Sequence, residues 1–415
     1  MIRTIHIFIF GILLISTSCY QEEILFESVG EKFELTISPA LQVFLHQSKD
    51  TTYTLDDPGI QFMMNDSPVD LKEIRTRGKN ALNFPRKSFS VFLKQAVFIS
   101  GRNGRKGKLL ERFKLLAMPM DYTYMENRLG LGLLEQTGAT PLFFKFVELG
   151  INGETQGVYM LVEDPEEFAR DLGSEYILRR GYQSWIADSE YEPSFHSIPE
   201  KDYKDRFTEI YHSLKPFEGD ALFHLLNERL DLGSYFRKMG IDYLLKNGDY
   251  TDEIFLYALI EDDKIRYHII PWDYDDIFSD TPHEVGVSWG TGKIYGERFY
   301  PTHQDVLNVI GDKLIFSIED DLDYTIVTDP FLYAKYEEEL RTLIQDLEKQ
   351  GFDLLFQNLR SELTPFYQNE KIVAQSSFDR DPTSQQKWED NMREKKAFLE
   401  TRLQEMKKKL NLSSR

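Results

Sequence analysis

Cysteine is almost absent: 415 residues carry one, Cys19. A single thiol excludes an internal disulfide framework and a cysteine-rich zinc site. Basic charge is in deficit, with 49 Lys and Arg against 69 Asp and Glu, a formal net charge of −20. That balance argues against a nucleic-acid partner, because a general binder needs basic surface to displace counterions. Beyond the N-terminus no segment reaches the ~18 consecutive apolar residues of a membrane-spanning helix. Internal repeats and low-complexity tracts are missing as well. What remains is 41% hydrophobic and 13% aromatic. This is the composition of a folded chain with one large domain or two ordinary ones.

The first residues read as an export signal. Arg3 gives a positive start, and Ile5 to Ile15 form an apolar run of 11 residues. Ser16-Thr17-Ser18 follow, then Cys19. The run is too short to span a bilayer and fits the apolar region of a signal peptide. Cys19 falls where a bacterial lipoprotein signal places the residue that is lipidated, although Ser16 stands where that signal usually has Leu or Val. The expected layout is a signal peptide over 1–18 and a tether over 19–30. The expected location is the bacterial cell envelope, anchored to the membrane through lipid on Cys19.

Downstream, alternating apolar residues and turn signals predict strands through residues 31–100, with Ser88–Leu93 a clear example. A helix is expected over 122–137. Asn152-Gly153 between the apolar runs 144–149 and 157–162 predicts a hairpin. After Pro165 the pattern turns helical at 205–214, 219–229 and 232–246. A second hairpin is expected with strands at 254–260 and 265–270, and a terminal helix over 385–410. The fold class is therefore α+β, with a β-rich N-terminal lobe over 31–164. The C-terminal lobe, 165–415, is mainly helical with an embedded hairpin.

Two constellations carry chemistry. Residues 72–114 hold thirteen Lys or Arg and only two acids, Glu73 and Glu111. Cations on strands, with Gly78 permitting close backbone approach, suit phosphate groups. A solvated basic face is the alternative. The second constellation is acidic: Asp249, Asp252 and Glu253 precede the late hairpin, and Pro271-Trp272-Asp273-Tyr274-Asp275-Asp276 ends it. A hairpin brings its ends together, so Asp249 and Asp273 can approach one another. Converging carboxylates repel unless a cation or a shared proton relieves them, and oxygen ligands favour Mg²⁺ or Mn²⁺ over zinc. An acidic surface loop is the alternative there. Together the two suggest phosphoryl transfer, which rests on positioning and charge neutralisation. His283 and His303 lack ligand-like spacing.

At these residues the chain resembles the spore-coat protein H (CotH) kinase-like family, a divergent branch of the protein-kinase fold. One block is Arg77-Gly78-Lys79-Asn80-Ala81-Leu82-Asn83-Phe84-Pro85-Arg86-Lys87-Ser88-Phe89. A second is Asn152-Gly153 through Gly157-Val158-Tyr159-Met160-Leu161-Val162-Glu163. The third is Asn247-Gly248-Asp249 followed by Pro271-Trp272-Asp273-Tyr274-Asp275. All three stand in family order within residues 60–405. The resemblance implies a two-lobed protein-kinase-like fold and use of ATP with Mg²⁺ (or Mn²⁺). It implies Asp249 as the catalytic aspartate, Asp273 as the metal-holding aspartate, and Asp275 as a second contact. It also implies Lys87 or Arg86, aided by Arg77, at the ATP phosphates, and Glu163 in the lobe-joining segment beside the adenine. The chain departs from the family at Glu126, where an arginine is usual. It departs again at Glu253 and Ile254, where an asparagine is expected; Glu253 remains a candidate metal ligand.

These readings converge on an atypical protein kinase acting on Ser or Thr hydroxyls, with a basic, Ser-rich protein as the expected substrate. A non-catalytic surface pseudokinase scaffold is the alternative, supported by the missing asparagine. A two-carboxylate glycosidase is a third reading, in which the basic island has no role.

Overall fold

The computed structural model describes residues 31–412 except 50, 79, 122, 139–141, 181–185, 188–199, 250–253, 290–297, 370 and 373–384. The signal, the tether, Cys19 and Glu253 lie outside the described residues.

The N-terminal part is an eight-stranded sheet. Its elements run β1 (Lys32–Thr36), α1 (Pro39–Gln47), β2 (Gln61–Met64), β3 (Ser67–Pro68), β4 (Leu71–Arg77), β5 (Ser88–Ile99) and β6 (Lys108–Leu116). Then follow α2 (Glu126–Gln136), β7 (Phe144–Ile151) and β8 (Glu154–Glu163). The strand order is β3-β2-β1-β7-β8-β6-β5-β4, antiparallel except for the β1–β7 pair. The β7–β8 hairpin turns at Asn152 and Gly153, with φ of 53° and 80°. Two successive positive φ values are what a two-residue turn needs to match strand twist. Asn152 adds a long-range bond, its Oδ1 accepting from the Ile37 amide at 2.9 Å.

Central strand β8 is buried on both faces. Val158, Met160 and Val162 join the larger core, while Tyr159 and Leu161 join a smaller one beneath β1 and β4–β6. Side chains of a strand alternate between faces, so one strand supplies both cores. The chain leaves the sheet at Glu163 and enters α3 (Pro165–Asp171), capped by Asp164, whose carboxylate accepts from the Glu166 amide at 2.9 Å. A capping carboxylate satisfies amides that have no intrahelical partner.

The C-terminal part opens with β9 (Ile177–Arg180), β10 (Ile186–Ala187), α4 (Glu200–His212), α5 (Gly219–Arg229) and α6 (Leu232–Leu245). The late hairpin is β11 (Ile254–Glu261) and β12 (Lys264–Pro271), joined at Asp262 and Asp263, both at positive φ. These strands form a four-stranded sheet in the order β10-β9-β11-β12. The pair β13 (Ser288–Trp289) and β14 (Arg298–Phe299) precedes α7 (His303–Ile310), α8 (Asp321–Thr328), α9 (Pro330–Tyr367) and α10 (Gln385–Lys409). Helix α9 is kinked at Gly351, whose φ is 68°. In α10, Trp388 is fully buried and stacks on Tyr367 at 4.5 Å. No helix among the described residues is long and apolar enough to cross a membrane. The architecture is α+β, with a β-rich N-terminal region and a largely helical C-terminal part.

Candidate active site

A cleft of about 450 Å³ opens between the large sheet and the helical part. The large sheet lines it with Arg75 and Arg77 from β4 and Lys114 from β6, and the smaller sheet adds Arg179 from β9. Arg75 and Arg77 are two apart on one strand, so both project from the same face. Across the cleft the Arg77 guanidinium lies 5.3 Å from the centre of the Trp272 ring. Gly78 then turns the chain with φ 108°, and a Cβ there would sit 2.9 Å from that of Ala81. Conformation and space both call for glycine at this corner.

The Lys114 ammonium reaches the Asp164 carboxylate at 2.8 Å and the Ser90 hydroxyl at 3.3 Å. Burial alone would raise the Asp164 carboxyl, but Lys114 and Arg112 hold it down at about 2. Arg112 also pairs with Glu166 at 2.8 Å. The junction of sheet and helices is thus a buried network of opposite charges.

Asp249, Asp273 and Asp275 line the same cleft. Pairing of Ile254 with Pro271 closes the late hairpin, which draws the chain after Asp249 and the chain after Pro271 to one place. Asp273 has a left-handed φ of 45°. Its neighbour Tyr274 donates its amide to Asn127 Oδ1 at 2.8 Å. The Tyr274 ring lies against α2, where a Cβ on Gly130 would come within 2.2 Å of it. Helix α2 therefore fixes the Asp273 segment through Asn127 and through the close approach of Gly130 to the Tyr274 ring.

The carboxylates perturb each other. Burial raises Asp273 and Asp249 adds to the rise, while Arg77, Arg179 and a hydrogen bond with Asn127 oppose it. Asp275 is raised well above the usual range by burial and by the charges of Asp273, Asp249, Asp276 and Asp121. Glu126 is pushed up to about 9 by burial and by Asp121, Asp275 and Asp276, against the pull of Lys395. Anions gathered in this way gain from a divalent cation. Among the described residues no three His, Cys, Asp or Glu form a ready metal cage. That still fits Mg²⁺, which usually takes one or two carboxylates and completes its shell with water and phosphate oxygens.

Of the residues singled out in the sequence, Arg77, Asp249, Asp273 and Asp275 line this one cleft. Arg86, Lys87 and Glu163 are not among the residues lining it, and each is held by other partners. The Lys87 ammonium is buried against three carbonyls, of Ser48 at 2.7 Å, Leu82 at 2.6 Å and Phe84 at 2.7 Å. The short helical turn Asn80–Asn83 folds back over it and supplies the Leu82 carbonyl. Arg86 donates to Tyr124 Oη at 3.2 Å and to the Val158 carbonyl at 2.5 Å, between the Tyr124 and Tyr159 rings. Glu163 is fully buried, pairs with Lys108 and accepts the Phe143 amide at 2.9 Å. Lys114, Arg179 and Asn127 were not singled out. Lys114 and Arg179 each stand beside apolar residues on a strand, in Phe113-Lys114-Leu115 and Leu178-Arg179, a weak signal because other charges share both strands.

A family model described as CotH kinase protein matches residues 74–406. The chain belongs to this family. It is, at that level, a kinase-like protein. The inner spore coat protein H of Bacillus subtilis strain 168 is 23% identical over 289 residues, which cover 63% of this chain and 71% of that relative. Among solved structures, the proinflammatory kinase CtkA of Helicobacter pylori aligns over 78% of this chain and 92% of its own, at 12% identity and a TM-score of 0.32. HipA of the Shewanella oneidensis MR-1 toxin–antitoxin system, solved with HipB and operator DNA, aligns over 77% of this chain and 66% of its own. The identity there is 11% and the TM-score 0.29.

Proposed function

We propose that this CotH-family protein is an ATP- and Mg²⁺-dependent kinase that phosphorylates Ser or Thr hydroxyls of a protein. The observation that carries this reading is one cleft that gathers Arg77 and Lys114 of the large sheet and Arg179 of the smaller sheet with Asp249, Asp273 and Asp275. The cations bind and orient the polyphosphate. Asp249 orients the acceptor hydroxyl and takes its proton as the oxygen–phosphorus bond forms and the bond to ADP breaks. Asp273 and Asp275 would hold the metal, with Glu253 as a further ligand from the sequence. Bound there, Mg²⁺ supplies charge neutralisation at the phosphate oxygens. The net charge of −20 favours a basic, Ser-rich acceptor by electrostatic steering. Export and lipid attachment at Cys19 belong to the same proposal and are checked by mass spectrometry of the mature N-terminus.

The direct test incubates the mature protein with Mg²⁺, labelled ATP and a basic Ser-rich peptide. Transfer by the parent protein, lost on Asp249→Ala and on Asp273→Ala, is the expected result. Absence of transfer under these conditions overturns the reading.

A second reading, a pseudokinase scaffold, draws on the pairing of Lys114 with Asp164 and on Glu253 and Ile254 in place of an asparagine. Thermal unfolding separates the two, since a bound ligand raises the midpoint by mass action. No shift with Mg-ATP or other nucleotides favours the scaffold.

A further inference from the structure

We propose that His283 is a positioning residue that holds Asp249 in its productive orientation. The inference deepens the kinase reading and rests on it, since it takes Asp249 to be the group that meets the acceptor hydroxyl.

His283 bridges two carboxylates. Its Nε2 is 2.9 Å from Asp276 Oδ2, and its Nδ1 is 3.4 Å from Asp249 Oδ1. Asp276 is a fixed post. Its carbonyl accepts the Gly248 amide at 2.9 Å, while the Phe278 and Ser279 amides donate to the Leu245 and Lys246 carbonyls at 2.8 and 3.0 Å. These bonds zip residues 245–248 to residues 276–279. The fit is close, for a Cβ on Gly248 would lie 2.1 Å from Asp276 Oδ2. Through the imidazole, the post reaches Asp249, which lines the cleft.

A ring with a carboxylate at each nitrogen donates from both, which makes it a cation. Hydrogen bonds to Asp249 and Asp276 raise the ring to about 10, so the charge persists at neutral pH. Two consequences follow. With Oδ1 of Asp249 engaged by the ring, Oδ2 is left for the acceptor. The imidazolium also offsets two anions, of which Asp249 lines the cleft, where an incoming phosphoryl group is itself negative. The side chain is 41% exposed, so small molecules can reach its place.

The test compares the parent protein with His283→Ala and His283→Gln in steady-state phosphoryl transfer. A misplaced catalytic group costs about 10- to 100-fold. The expected result is a fall in kcat of that size for His283→Ala, with KM for ATP unchanged. Added imidazole should restore part of the loss, which a merely structural role would not allow. A second arm needs no activity: thermal unfolding of His283→Gln, Asp249→Asn and the double variant. Contacting residues give non-additive effects, so the double variant should lose less than the two single losses combined. Parent-like kcat in His283→Ala overturns the inference, as does strict additivity. If the parent protein shows no transfer while the cycle is non-additive, the kinase reading fails and the positioning role falls with it. The His283–Asp249 contact then stands alone.

Discussion

The Lys114 ammonium and the Asp164 carboxylate lie 2.8 Å apart, both buried, at the junction of the sheet and the helices. Lys114 also lines the cleft that holds Asp273 and Asp275. An ammonium held by Asp164 and the Ser90 hydroxyl, with an open cleft beside it, can exchange towards a phosphate. Lys114→Met should lower kcat/KM for ATP by about 100-fold, ~2.7 kcal/mol of transition-state binding. Steady-state kinetics at varied ATP check this, and parent-like values would remove Lys114 from the phosphate site.

Lys87→Met should behave in the opposite way. Its ammonium satisfies three carbonyls and does not line the cleft. Leaving buried acceptors unpaired costs ~1–3 kcal/mol each, less where water enters. A loss of about 2–4 kcal/mol in denaturant unfolding is expected, with ATP affinity unchanged in the folded fraction.

The Asp164 network sets an acid limb. Its carboxyl is held at about 2 in the folded protein, against about 3.9 in an unfolded chain. A depressed carboxyl contributes stability that is fully present above the unfolded value and is lost as pH falls through the folded one. Stability should therefore decline between pH 4 and 2, and Asp164→Asn should flatten that decline. The same variant leaves Lys114 and Arg112 short of a counter-charge and lowers stability at pH 7 by about 3 kcal/mol. Unfolding midpoints at pH 2 to 7 for both proteins check the two effects together.

Glu126 predicts a slope of the other sign. Its carboxyl is raised to about 9, from about 4.3 when unfolded. The folded state binds the proton more tightly, so metal-free stability should fall as pH rises from about 4.5 towards 9. Glu126→Gln should reduce that slope. Added Mg²⁺ should also reduce it if the cation neutralises the neighbouring Asp275. A slope unchanged by Glu126→Gln would place its origin elsewhere.

The elements were legible because their signals are local. Asn152-Gly153 encodes positive φ at both turn positions, and the hairpin forms around it, although its strands run to Ile151 and begin at Glu154. The helices expected at 219–229 and 232–246 lie at Gly219–Arg229 and Leu232–Leu245. The expected helix over 122–137 is shorter, Glu126–Gln136, and starts after a buried turn in which Asp121 accepts the Thr123 and Glu126 amides.

By itself, then, the sequence determined the α+β class, the two hairpins and the approach of Asp249 to Asp273, because turn chemistry and strand alternation act over a few residues. Only the tertiary structure decided which cations of the basic island face the acids. Arg77, Arg86, Lys87 and Lys114 are alike in charge, but strand pairing turns Arg77 and Lys114 to the cleft and leaves Arg86 and Lys87 against carbonyls. Arg179 and Asn127 reach the same cleft from β9 and α2, remote in sequence from the island and from Asp273. The physical reason is that charge is a property of a residue, whereas its partner is a property of the packed chain. In a buried network the nearest hydrogen-bond acceptor determines where each cation points.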